Sequence, residues 1–354
     1  MTTNSAKDLS ELAEIAGIKA LDAWNLKANK VKLISQSENL VYQLDTLDGQ
    51  RFALRVHRPG YHSAQALESE QMWTSSLNEA GILVPIGQPK SDGTYYQPAP
   101  VLDSEDIRQI GLVAWLEGQS LHELISSNIE SELQSEAHHS QLLLHHMNKT
   151  GTIAGLIHNQ SSQWQTPKGF IRHHLDAEGF MGESPFWGPF WALPEHSKAQ
   201  LAIFSSVKQA LYEYLCRLEK NQDNYSMIHA DLHGGNLLVS EQGITVIDFD
   251  DAGFGWHSYE LAVALFHFQG RPDFGQIYHQ LVAGYQQVRS LDQNQLDQIP
   301  IFLLIRALAA MGWCHHRREV DHSEYLASLI QQATIQSQQF LEGQLPDYFN
   351  KAFS

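Results

Sequence analysis

Two short apolar runs around a polar loop constrain this chain most. Met227-Ile228 leads into His229-Ala230-Asp231-Leu232-His233-Gly234-Gly235-Asn236, Leu237-Leu238-Val239 follows, and Ile244 to Ile247 ends in Asp248. The pattern predicts strand, loop, strand and terminal acid. Asp231, His233, Asn236 and Asp248 are expensive residues to place between buried strands, because a polar group taken out of water must be paired. The loop therefore reads as a site rather than as packing.

Before this stretch the patterning changes twice. Leu9 to Ile15 has helical spacing and is expected to stop at Gly17, with a short helix over Ala20 to Trp24. Val31–Ile34, Asn39–Leu44 and Arg51–Val56 alternate apolar and polar residues around an Asp48-Gly49 turn, which predicts an antiparallel meander. Ser63 to Ala80 predicts a helix, Gly81–Pro85 a further strand region, and Thr94–Tyr96 and Ile110–Leu116 complete a sheet of about five strands. Trp115-Leu116-Glu117-Gly118 reads as a hinge, and a sheet-rich first lobe (1–116) gives way to a mostly helical second (117–354).

In the second lobe, Glu132 to His158 is expected to be one long helix carrying the doublets His138-His139 and His145-His146. With no carboxylate in phase, these read as solvated or core histidines rather than metal ligands. Residues 161–194 lack periodicity and are rich in aromatics, among them Trp187 and Trp191. Either they pack on the lobe or they form a wall that receives substrate, with a cation over a ring face. Helices are expected over Lys198–Leu218, Tyr259–Phe268, Phe274–Val288, Leu296–Trp313 and Glu324–Leu341. Arg306, His315, His316, Arg317 and Arg318 read mainly as a charged helix face.

The balance of 23 Lys+Arg against 40 Asp+Glu gives a formal charge of -17, which disfavours a nucleic-acid surface and suits solubility or a cationic ligand. Asp250 and Asp251 are either solvated or placed to meet an ammonium. Two cysteines support neither a disulfide framework nor a cysteine zinc cluster, and the expected setting is the cytoplasm. The apolar stretch Ile299–Trp313 is interrupted by Arg306 and falls short of the roughly 20 residues needed to span a bilayer, so no membrane association is expected.

Asp231 and Asn236 keep the Asp-x-x-x-x-Asn spacing of a kinase catalytic loop, and Asp248 stands where such enzymes hold magnesium. His229-Ala-Asp-Leu-His-Gly-Gly-Asn236 with Ile247-Asp-Phe249 resembles the signature of the aminoglycoside phosphotransferase and choline kinase family. Ser37-Glu-Asn-Leu-Val-Tyr42, Leu54-Arg-Val-His-Arg-Pro-Gly60, Ala80–Pro85 and Asp176-Ala-Glu-Gly179 are similar to its bacterial type II homoserine kinase-like and stress-response kinase-like members. The resemblance runs from about Ser35 to Leu265. It implies a bilobal α+β fold of the protein-kinase type that uses ATP and Mg2+ to phosphorylate a small hydroxyl acceptor.

Carried over position by position, it implies Asp231 as catalytic base, Asn236 and Asp248 as magnesium ligands, and His229 and His233 as loop supports. Arg55 stands where the family places a phosphate-contacting lysine, with Glu70 as its ion-pair partner. Ser37 and Asn39 of a glycine-free loop, and Trp115, Leu116 and Glu117, would meet the nucleotide. Asp251, Trp187 and Trp191 are the substrate candidates. Glu260 replaces the family's usual Asp in a segment expected to be structural. Three other readings stay open: a protein Ser/Thr kinase, a pseudokinase that binds nucleotide, and a hydrolase holding zinc or manganese through His229, Asp231, His233 and Asp248.

Overall fold

The computed structural model describes residues 2–36, 39–103, 105–130, 136–317 and 322–345. Two compact units are present. The first comprises Met1–Gly118 with Gln165–Arg172 and Ser240–Ile247; the second comprises the rest.

In the first unit, α1 (Thr2–Ala20) precedes β1 (Ala28–Gln36), β2 (Leu40–Thr46) and β3 (Arg51–Val56), then α2 (Ala64–Glu79), β4 (Tyr96–Pro100) and β5 (Ile107–Ala114). The strands form one antiparallel sheet in the order β1-β2-β3-β5-β4. Strand alternation assigns its two faces. Phe52, Leu54 and Val56 point into a core with Ala13, Ala16, Ala20 and Trp24, whereas Arg55 projects to the other side and meets α2. The first helix does not stop at Gly17. A Cβ there would sit 2.8 Å from a Leu54 methyl, so the glycine lets α1 lie close on the sheet instead of ending it.

Ser63 caps α2 by accepting the Ala66 N–H, as the sequence predicts for this start. Gly81–Pro85 is not a strand. It is an extended segment bonded singly, with the Leu83 carbonyl accepting Val246 N–H and the Ile86 carbonyl accepting Ala114 N–H. Residues 165–172 pack on α2: Gly169 O accepts from Gln65, Ile171 N–H donates to Ser69 Oγ, and Arg172 donates to Ala66 O.

The second unit begins with β6 (Gln119–Ser120), α3 (Leu121–Glu130) and α4 (Glu136–Gln163). The long helix expected over Glu132 to His158 is α4, which runs on to Gln163; its expected start lies outside the described residues. His145 is exposed and His146 buried; the side chains of His138 and His139 lie outside the described residues. β7 (His174–Leu175), α5 (Ala177–Met181), α6 (Lys198–Arg217), β8 (Tyr225–Ile228) and β9 (Leu237–Ser240) follow; after β10 (Gly243–Val246), which belongs to the first unit, come β11 (Gly253–Trp256) and helices α7 (His257–Leu265), α8 (Phe274–Gln286), α9 (Gln293–His316) and α10 (Ser323–Leu341). α4 crosses α8 at backbone contact: a Cβ on Gly151 would lie 1.9 Å from the Leu281 carbonyl, so only glycine fits.

α7 is buried along its whole length and packs on α9. Among the described residues, α9 is the one helix long and apolar enough to cross a membrane by length and composition. Most of it is buried in the unit, as expected of a core helix.

Candidate active site

β8 delivers His229–Asn236 from a strand that pairs antiparallel with β11. Where the strand ends, Ala230 turns into the left-handed region (φ 65°), so His229 N–H and Ala230 N–H both face α7. There Glu260 accepts them, one on each carboxylate oxygen, at 2.7 Å. Glu260 is fully buried, and burial raises its pKa despite the two N–H bonds and the nearby His229 that favour its charge. The residue expected to be merely structural is the clamp that shapes the loop. Its sequence signal was its charge, since a carboxylate inside the apolar run Tyr259–Leu265 must have partners.

The loop is bonded within itself as well. Asp231 N–H donates to His229 Nδ1 at 3.2 Å, and the His229 ring packs on Phe249. His233 Nδ1 accepts Gly235 N–H at 2.9 Å and so caps the single 3-10 turn Gly234–Asn236. With Nδ1 accepting, the ring proton sits on Nε2, which lies 3.3 Å from Asp231 Oδ2. Both imidazoles thus spend a ring nitrogen on backbone N–H groups, which does not suit them to a metal centre built on this loop.

Asn236 donates from Nδ2 to both the Asp231 carbonyl and Asp231 Oδ2, each at 2.9 Å. This fixes the amide so that Oδ1, a hard oxygen donor, faces away from Asp231. Asp248 follows β10 in a left-handed conformation (φ 63°), rare outside glycine, and its charge acts on His233. An amide oxygen and a carboxylate are the ligand types that magnesium takes, so the residues present fit that ion.

Arg306 completes the group. It projects from the middle of α9, and its Nη2 lies 2.5 Å from Asp231 Oδ1. Its guanidinium stands 5.9 Å from the Trp187 ring centre, and Trp187 Nε1–H donates to Asp251 Oδ2 at 3.3 Å. Burial alone would raise the Asp231 carboxyl; the charges of His233 and Arg306 and the His233 hydrogen bond reverse this and hold it well below the usual carboxylate range. For His233, burial acts downward, but Asp231 outweighs it and raises the imidazole pKa.

Arg306 and Arg317 are therefore not part of a solvated face. Arg317 is buried and lies 5.4 Å from the Trp313 ring centre, while His315 lies 3.7 Å from Glu195; Arg318 is outside the described residues. A single arginine breaking an apolar helix was the legible signal, because such a charge needs a partner. Asp250 and Asp251 are likewise buried rather than solvated. Trp187 joins the Asp231 group, but Trp191 does not: its ring receives Lys208, 4.1 Å from the ring centre.

In the first unit, Arg55 Nη1 meets Glu70 Oε1 at 3.1 Å, the pair that the family resemblance implied. A second cation, Arg172, lies 3.7 Å from Glu70 Oε2 and was not anticipated. All three side chains are buried or nearly so. Asn39 Oδ1 accepts Arg58 N–H, Glu117 pairs with Arg51 at the surface, and Trp115 and Leu116 are half-buried. Ser37 lies outside the described residues.

Residues 30–296 match the model of the phosphotransferase enzyme family. The chain belongs to that family. It is a kinase, a phosphotransferase with an alcohol group as acceptor. Over 313 residues it is 24% identical to the amicoumacin kinase of Bacillus subtilis (strain 168), covering 86% of this chain and 85% of that one. The structure of a microcompartment-associated aminopropanol kinase superposes with a TM-score of 0.78 at 28% identity, covering 94% of this chain and 98% of the other. The amicoumacin kinase hAmiN, in complex with AMP-PNP, Ca2+ and Ami, superposes with a TM-score of 0.73 at 20% identity over 94% and 96% of the two chains.

Proposed function

We propose that the protein transfers the γ-phosphoryl group of ATP to a hydroxyl of a small cationic or zwitterionic molecule, with Asp231 as the base. In this reading the acceptor oxygen bonds to the γ-phosphorus as the bond to the β–γ bridging oxygen breaks, and the hydroxyl proton passes to Asp231. The observation that carries it is the set of bonds on Asp231. Asn236, His233 and Arg306 all address the carboxylate with donors, so it is kept ionised and fixed in direction, as a base for an alcohol must be.

Asn236 Oδ1 and Asp248 would hold Mg2+, which when bound neutralises charge on the transferring phosphoryl group. Arg55, held by Glu70, is assigned to the α- and β-phosphates. An arginine can grip phosphate through two donors where a lysine offers a point charge. Ser37 and Asn39 are assigned to the phosphates, and Trp115 to Glu117 to the nucleotide base. A small amino alcohol suits Asp251 and Trp187 as the groups that meet an ammonium, and the named activity of the aminopropanol kinase relative points the same way.

The test is a screen of hydroxylated metabolites, beginning with amino alcohols, for ATP consumption in the presence of Mg2+, with Asp231→Ala as control. Turnover that depends on Asp231 supports the proposal. Consumption that survives Asp231→Ala contradicts the assigned base, and turnover confined to protein acceptors contradicts the small-molecule substrate.

A further inference from the structure

We infer that Arg306, carried by α9 far from the signature loop in sequence, is a positioning residue for the base: its Nη2 holds Asp231 Oδ1 while Asn236 holds Oδ2, fixing the plane of the carboxylate. This rests on the reading of Asp231 as the base. The geometry is that of a built contact. The Arg306 and Asp231 side chains are 13% and 20% exposed, the guanidinium lies 5.9 Å from the Trp187 ring centre, and it interacts with the fully buried Tyr259. The Arg306 guanidinium and the buried Tyr259 hydroxyl also act on one another, so α7 as well as Asp231 engages the arginine.

The fold locks the arginine in place. Gly312, six residues further along α9, lies so near the Trp187–Gly188 turn that a Cβ would be 2.5 Å from the Gly188 carbonyl and 2.8 Å from that of Trp187. Backbone thus sets how far Arg306 stands from Trp187, and Trp187 in turn donates to Asp251. Titratable or charged groups act on Asp231 from several elements. His229 and His233 come from its own loop, Tyr259 and Glu260 from α7, His267 from the turn after it, and Tyr325 from α10. Asp251 and Asp248 act on Arg306 and His233. Among the described residues Arg306 is the permanently charged cation paired with Asp231, whereas His233 is charged only when protonated.

Removing Arg306 leaves the carboxylate held at Oδ2 only, by Asn236 and His233. The expected consequence is misalignment, of the kind that costs about a hundredfold when a reacting group shifts by an ångström. It requires no change in nucleotide binding.

The experiment compares wild type, Arg306→Lys and Arg306→Met in two assays with ATP and Mg2+: slow hydrolysis with water as acceptor, and turnover with 1-amino-2-propanol. For Arg306→Met we expect kcat to fall by about a hundredfold, with the KM for ATP within about twofold of wild type. Arg306→Lys, which keeps the charge but offers a single point of contact, should recover part of the lost kcat. An Arg306→Met variant with unchanged kcat overturns the inference, as does one in which the KM for ATP rises as much as kcat falls, or one whose lost kcat Arg306→Lys does not recover in any part. A wild-type protein that consumes ATP under neither condition contradicts the functional reading itself, and so is told apart from failure of the Arg306 claim alone.

Discussion

The Glu260 carboxylate accepts the backbone N–H groups of His229 and Ala230, 2.7 Å from each, so a side chain of α7 closes the end of β8. Ala230 can hold its left-handed turn because both of these amides are satisfied on one acid. Glu260→Ala strips two buried donors of their acceptor at about 1–3 kcal/mol each. We predict a loss of several kcal/mol in denaturant unfolding and a loop that no longer presents Asp231. Glu260→Asp keeps the charge with a shorter reach, and is expected to cost less than alanine.

Glu70 faces two guanidiniums, Arg55 at 3.1 Å and Arg172 at 3.7 Å, in a mostly buried setting. Removing one partner of a buried ion pair costs about 3–5 kcal/mol. Glu70→Ala should destabilise by that order, measured by urea unfolding, and should also weaken ATP binding by calorimetry. Arg55→Lys should act mainly on ATP affinity, because it keeps a cation on Glu70 but loses the planar fork.

Gly312 tests the fit of α9 against the Trp187–Gly188 turn. The nearest atoms to a Cβ there are carbonyl oxygens rather than side-chain ends, so the neighbour cannot yield cheaply. Gly312→Ala is predicted to destabilise by about 1–3 kcal/mol, as overpacking does, and to lower kcat by displacing Arg306.

His233 makes stability depend on pH. Its folded pKa is raised, with burial opposing and Asp231 prevailing, so the fold favours the imidazolium paired with Asp231 over the neutral ring whose Nδ1 accepts Gly235 N–H. The contribution is fully present below the unfolded value of about 6.5 and is lost as pH rises through the higher folded value. The Tm difference between wild type and His233→Asn should therefore shrink between pH 6 and pH 9, read by thermal unfolding at about one-unit pH steps. An equal difference at every pH would contradict the pairing with Asp231.

Much of this was legible because local chemistry and fold agree. The Asp48-Gly49 turn, the alternation of Phe52, Leu54 and Val56, and the Ser63 cap each have one cheap structural solution, and the structure adopts it. Arg55 and Glu70 could be paired through the family resemblance, on a strand and a helix that follow each other closely. Arg306 was harder to place because its partner lies 75 residues away, and sequence spacing carries no information about such a contact. Gly17 misled for a related reason: locally it ends a helix, whereas Leu54 across the core makes it a point of close approach. The region 161–194 was illegible as one piece because residues 165–172 pack in the first unit and the rest of it in the second.

The central claim is that Asp231 is the base, and the most direct measurement is single-turnover phosphoryl transfer by Asp231→Asn against wild type, with ATP binding measured in parallel. Asparagine keeps the shape that Asn236 and Arg306 address but cannot take the proton. The account predicts a fall in transfer rate of about a hundredfold or more, with ATP affinity nearly unchanged. Transfer at the wild-type rate by Asp231→Asn would contradict it.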